Sequence, residues 1–99
     1  MNYMSPEQLK REIYGKPCDL FAIAITVFIM ITGKHPFQTV DENEKKGVDI
    51  GRQKAADWNF PHDFPKMAED FILKLGCLDP KSRYTAAEGL GHPFITRNT

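Results

Sequence analysis

The chain's most pronounced pattern is a run of apolar residues from Leu20 to Ile31, interrupted only by Thr26 and bounded by Asp19 and Lys34. As a helix, such a run rises about 18 Å, well short of the roughly 30 Å hydrocarbon layer of a bilayer. A helix this short and apolar on every side belongs inside a protein, so the run is predicted as a buried central helix. It should begin near Pro17 to Asp19 and close at Gly33, a residue that adopts the left-handed cap without strain. Ile23, Ile25, Thr26, Val27, Ile29 and Ile31 are β-branched and have poor intrinsic helix propensity. Burial must therefore hold it helical.

Shorter helices are predicted on either side. In Ser5-Pro6-Glu7-Gln8, the serine can cap, the proline suits the first helical position and the glutamine completes a capping box. That helix should run to about Glu12 and stop before Gly15. Thr39 with Glu42, and Thr85 with Glu88, repeat the box and each opens a short helix. Pro65 begins a longer one, with Met67, Ala68, Phe71, Ile72 and Leu75 on one face, ended by Gly76. Gly47 and Gly51 leave the stretch to Asn59 without an assigned element, and Gly91-His92-Pro93 reads as a break. No segment alternates as a strand would. The expected fold class is all-α, in one domain covering residues 1–99.

Composition narrows the partners. Thirteen acidic and thirteen basic residues give a formal charge of zero, which argues against nucleic acid and against a polybasic membrane contact. Cys18 and Cys77 lie far apart, with neither metal nor redox spacing, and read as free thiols of a reducing compartment. Met1 to Leu9 carry no signal-peptide pattern, so a cytoplasmic location is expected.

Candidate chemistry is sparse. No glycine-rich phosphate loop precedes a helix, and no paired His or Cys spacing suggests a metal. His35, His62 and His92 lie at or near prolines, two of them in the repeated triplet His-Pro-Phe, and are expected to be turn residues whose rings bond a nearby carbonyl. Ser5 and Ser82 lack an evident base. Glu7 falls in a first helical turn, where the dipole favours a carboxylate, and Arg83 follows Asp79-Pro80-Lys81-Ser82 in a tight connector. The two could form a bidentate, partly buried pair, or both could be exposed and separate; spacing alone leaves both open.

At these residues a family resemblance emerges. Tyr3-Met4-Ser5-Pro6-Glu7 resembles the Ala-Pro-Glu element that ends the activation segment of protein kinases, with Ser in place of Ala. Tyr14-Gly15-Lys16-Pro17-Cys18-Asp19, the apolar run and Gly33-Lys34-His35-Pro36-Phe37 are similar to the block that follows it. Leu78-Asp79-Pro80-Lys81-Ser82-Arg83-Tyr84-Thr85, then Glu88, Leu90 and His92-Pro93-Phe94, resemble the last block of the large lobe. The three occur in family order and span nearly the whole chain. Tyr3 before Met4 resembles the serine/threonine class, and Asn59-Phe60-Pro61 with the His-Pro-Phe ending leans toward calcium/calmodulin-dependent kinases.

The resemblance implies the helical lower half of a kinase large lobe, and roles for five residues. Glu7 and Arg83 match the ion pair tying the activation segment to the lobe's base. Asp19 matches the carboxylate that holds the catalytic-loop backbone. Tyr3 and Met4 fall in the loop receiving the substrate residue after the phosphorylated one. In place of the family's Asp-x-Trp-Ser-x-Gly stands Asp19-Leu20-Phe21-Ala22-Ile23-Ala24, which lacks the indole N–H, a hydroxyl and a glycine. The phosphate loop, ATP-anchoring lysine, His-Arg-Asp base and Asp-Phe-Gly magnesium ligand do not occur in these 99 residues. ATP and Mg²⁺ are thus expected of a complete domain, and this chain alone is expected to bind no cofactor and catalyse no transfer. Because Met1 falls just before the Ala-Pro-Glu-like element, the expected partner is a protein substrate or the remainder of a kinase. The alternative is a non-catalytic binding module. In either case the central helix would have a bare apolar face, and the isolated chain should self-associate.

Overall fold

The computed structural model describes residues 3–12, 15–38 and 48–96, arranged as six helices. These are α1 (Pro6–Leu9), α2 (Lys16–Thr32), α3 (Ile50–Lys54), α4 (Lys66–Leu75), α5 (Ala86–Leu90) and α6 (Pro93–Thr96). The one β feature among the described residues is an isolated antiparallel bridge between Gln38 and Val48. The fold is all-α. The Thr39–Glu42 pair lies outside the described residues.

Local chemistry sets most boundaries. The capping box at α1 forms, with Ser5 Oγ accepting from Gln8 N and Gln8 Oε1 accepting from Ser5 N. α1 then stops at Leu9, three residues earlier than the sequence suggests. Arg11 takes the left-handed conformation at φ 58°, Arg11 N donates to Gln8 O, and Glu12 N donates back to Glu7 O. That is a Schellman closure with arginine where glycine is usual, and it ends the helix before Gly15. α2 closes where expected, on left-handed Gly33 at φ 76°, whose N–H donates to Ile29 O. The box at Thr85 and Glu88 also forms and opens α5. Past Gly91 and His92 the chain resumes as the single turn of α6 rather than remaining broken.

Packing divides along α2. Leu20, Ala24 and Phe28 meet Phe64 and the α4 residues Ala68, Phe71, Ile72 and Leu75 in one cluster, while Phe21 and Ile25 meet Phe37 in a second. On α4 the buried positions fall at i, i+3, i+4 and i+7, as an amphipathic face requires. Met67, expected on that face, lies at its edge and is instead exposed. Trp58 joins the clusters, with its ring 5.6 Å from Phe21, 4.9 Å from Phe37 and 6.2 Å from Phe28. Its Nε1–H donates to Gly76 O at 2.7 Å.

The central helix is not enclosed on every side. Phe21, Ala24 and Ile25 are fully buried, whereas Ile23 is 45 % and Met30 79 % exposed on the opposite stripe. Leu20 and Ile23 also line an apolar groove of about 280 Å³ with Phe71, Leu75, Leu90 and Ile95. No helix among the described residues is long and apolar enough to cross a membrane.

Gly76 tests this packing. A Cβ built there would lie 2.5 Å from the Trp58 ring and 2.9 Å from Ile72 O, and neither backbone nor a hydrogen-bonded indole yields cheaply. Gly76→Ala is expected to cost about 1–3 kcal/mol by overpacking. The midpoint of urea unfolding, read at unchanged slope, measures it.

Candidate functional site

The connector between α4 and α5 folds about Asp79. Its carboxylate accepts from Lys81 N at 3.0 Å and from Ser82 Oγ at 3.3 Å, and its carbonyl accepts from Ser82 N. Such an Asx-turn reverses the chain within three residues. Arg83 emerges from it into the interior, 5 % exposed.

There the guanidinium meets Glu7. Arg83 Nη1 donates to Oε2 at 2.6 Å and Nη2 to Oε1 at 2.7 Å, a bidentate pair bridging 76 residues of sequence. The other donors are also used: Nε to Cys77 O at 2.8 Å, Nη1 to Pro17 O at 3.1 Å and Nη2 to Leu78 O at 3.2 Å. Arginine carries five N–H groups, and all five are satisfied. The guanidinium carbon also sits 5.0 Å from the centre of the Phe21 ring, a cation–π distance. Burial alone would push the Glu7 carboxyl upward, but the hydrogen bonds and charge of Arg83 outweigh it and hold the carboxyl below its ordinary value.

Beside this pair lies the Tyr3–Met4 segment, its two residues 40 % and 43 % exposed. The Met4 carbonyl accepts at 2.7 Å from Nε2 of Gln53, which is fully buried on α3. Asp19, in the first turn of α2, is exposed, and its Oδ1 accepts from the Cys18 thiol at 3.7 Å. Burial and the neighbouring Asp19 carboxylate both push that thiol's pKa up, which keeps it protonated and unreactive. Glu7 and Arg83 thus lie next to the Tyr3–Met4 segment, and Asp19 lies between Pro17 and Phe21, both of which touch Arg83, but is itself exposed.

In both His-Pro-Phe turns the ring Nδ1 accepts an amide N–H two residues on, from Phe37 to His35 and from Phe94 to His92. Nδ1 being an acceptor, Nε2 of His92 carries the proton and donates to Asp70 at 2.7 Å, joining α6 to α4. Both rings are turn locks. His62 is exposed. Among the described residues no group of three or more His, Cys, Asp or Glu is placed to hold a metal.

Sequence reasoning missed Gln53, Trp58 and Asp70. Each makes a side-chain hydrogen bond to a partner remote in sequence, and such a bond leaves no local signature.

Comparison with known proteins accords with this geometry. The model of the protein kinase domain family matches residues 1–95. A calcium/calmodulin-dependent protein kinase type 1 from Macrobrachium nipponense is 34 % identical over 98 residues, covering 97 % of this chain and 28 % of its own length. One of the same description from Caenorhabditis elegans is 32 % identical over 97 residues, covering 98 % of this chain and 28 % of its own. Among solved structures, the twitchin kinase region of C. elegans superposes with a TM-score of 0.80 at 26 % identity, over 95 % of this chain and 17 % of that one. The chain belongs to the protein kinase domain family. It spans about 28 % of the length of these curated relatives.

Two measurements probe the buried pair. Arg83→Met leaves the Glu7 carboxylate buried and unpaired, and is expected to cost about 3–5 kcal/mol in denaturant unfolding. Glu7→Leu combined with Arg83→Met should restore most of that loss. The pH dependence follows from the depressed carboxyl. Its stabilisation is complete above the ordinary value of 4.5 and is lost as pH falls through the lower folded-state value. Acid titration of the unfolding midpoint should show that loss in the parent chain and a flatter profile in the double variant.

Proposed function

We propose that the chain forms the substrate-side helical base of a serine/threonine protein kinase, working within a larger assembly that binds ATP. The observation that carries this reading is the Glu7–Arg83 pair, which joins the Ser-Pro-Glu element to the last conserved block. The relatives named as calcium/calmodulin-dependent kinases support the serine/threonine class. In this reading the pair fixes the end of the activation segment, and Tyr3 and Met4 receive the substrate residue that follows the phosphorylated one. Asp19, its carboxylate exposed at the start of α2, serves to hold the backbone of a catalytic loop. Glycine-loop, lysine, base and magnesium-ligand motifs lie outside these 99 residues, so the chain alone transfers no phosphate.

A second reading, a non-catalytic binding module, draws on the exposed Ile23 and Met30 stripe and the apolar groove beside it. On either reading the uncovered stripe drives the isolated chain to associate with itself.

Three experiments decide. Incubated with MgATP and a general protein substrate, the chain is expected to transfer no phosphate to serine or threonine. Grafted in place of the matching segment of the C. elegans relative, it is expected to retain that kinase's phosphorylation; a folded but inactive graft overturns the first reading. In sedimentation, the isolated chain should show a mass rising with concentration. Monomer throughout the accessible range overturns the association.

A further inference from the structure

The Met4-to-Glu7 segment is gripped at both ends. Glu7 is held by Arg83, and Met4 by Gln53, whose Nε2 reaches the Met4 carbonyl across 49 residues of sequence at 2.7 Å. A carbonyl oxygen only accepts, so the nitrogen of the amide must face it, and the orientation of the Gln53 side chain is chemically determined. At zero exposure no solvent competes for this bond.

α3, which carries Gln53, is itself fixed. Asp49 caps it by accepting from Arg52 N at 3.2 Å, and Asp49 N donates to Phe37 O at 2.7 Å. Arg52 lies 5.7 Å over the Phe37 ring and donates to Pro36 O at 3.3 Å. Phe37 packs against Phe21, whose ring also receives Arg83. The two grips therefore rest on one buried ring of α2. A loop held in this way has its backbone fixed while its side chains stay half-exposed.

We infer that Gln53 is a positioning residue of the Tyr3–Met4 loop: by holding the Met4 carbonyl it sets the surface on which a substrate residue is read. The inference rests on the kinase reading above for the identity of what is read, but not for the hold itself.

The hold is tested in the chain itself. Gln53→Ile keeps apolar bulk and removes the donor, so the amides of residues 4–8, Pro6 having none, are expected to exchange with deuterium about tenfold faster, with α2 and α4 unchanged. Unchanged exchange at 4–8 overturns the inference, and so does a uniform rise across α2 and α4, which would mean general loosening. Gln53→Glu, close in size but unable to donate when ionised, should reproduce the faster exchange. Recognition is tested in the grafted kinase. There Gln53→Ile should raise the peptide KM several-fold with little change in kcat, and weaken discrimination among peptides differing only after the phosphorylated residue. A fall in kcat at constant KM overturns the positioning role. If the unsubstituted graft transfers no phosphate, the kinase reading fails by itself, and the exchange result still decides the hold.

Discussion

A buried guanidinium is costly unless each of its N–H groups finds an acceptor, and Arg83 meets that condition by drawing together three segments. Glu7 comes from α1, the Pro17 carbonyl from the start of α2, and the Cys77 and Leu78 carbonyls from the connector itself. Phe21 lies against the guanidinium. Were Arg83 to move, five hydrogen bonds would fail together. Position in this part of the molecule is therefore all-or-none rather than graded. The pair also closes a loop of 76 residues, so it links the two ends of the chain, which no local contact could order.

The second constraint is geometric. The molecule measures 42 × 35 × 17 Å, and with packed helix axes about 8–10 Å apart its thin dimension holds only two helical layers. A central helix in such a slab is covered from one side. α2 is accordingly divided, with Phe21, Ala24 and Ile25 dry and Met30 wet, although its sequence is apolar all round. Its helical state persists despite seven β-branched residues because the dry stripe meets both clusters.

What was legible from sequence was what local chemistry determines. Ser5 with Gln8 and Thr85 with Glu88 signal caps because donor and acceptor lie three residues apart, and Gly33 signals an end because few other residues take its conformation. The Ala68, Phe71, Ile72 and Leu75 face followed from periodicity. α1 was read too long because its end depends on Arg11 adopting a left-handed backbone, which arginine does not advertise. The His35 and His92 rings were assigned to turns, but the amide N–H that each accepts was not foreseen, since an imidazole can accept as readily as donate. Of the site, Glu7 and Arg83 were visible as a possible pair from their local settings, but spacing could not decide between paired and separate, and a family pattern was needed to link them. Gln53 was invisible: a glutamine in a polar, glycine-flanked stretch reads as surface, and its burial depends on α3 packing against α1.

Trp58 carries a consequence of another kind. It is the chain's single tryptophan, partly buried at the junction of the two clusters, with its indole N–H bonded to the Gly76 carbonyl. Phenylalanine rings from both clusters surround it. One native chromophore thus samples both halves of the interior, and its emission colour registers the wetting of either without any added label.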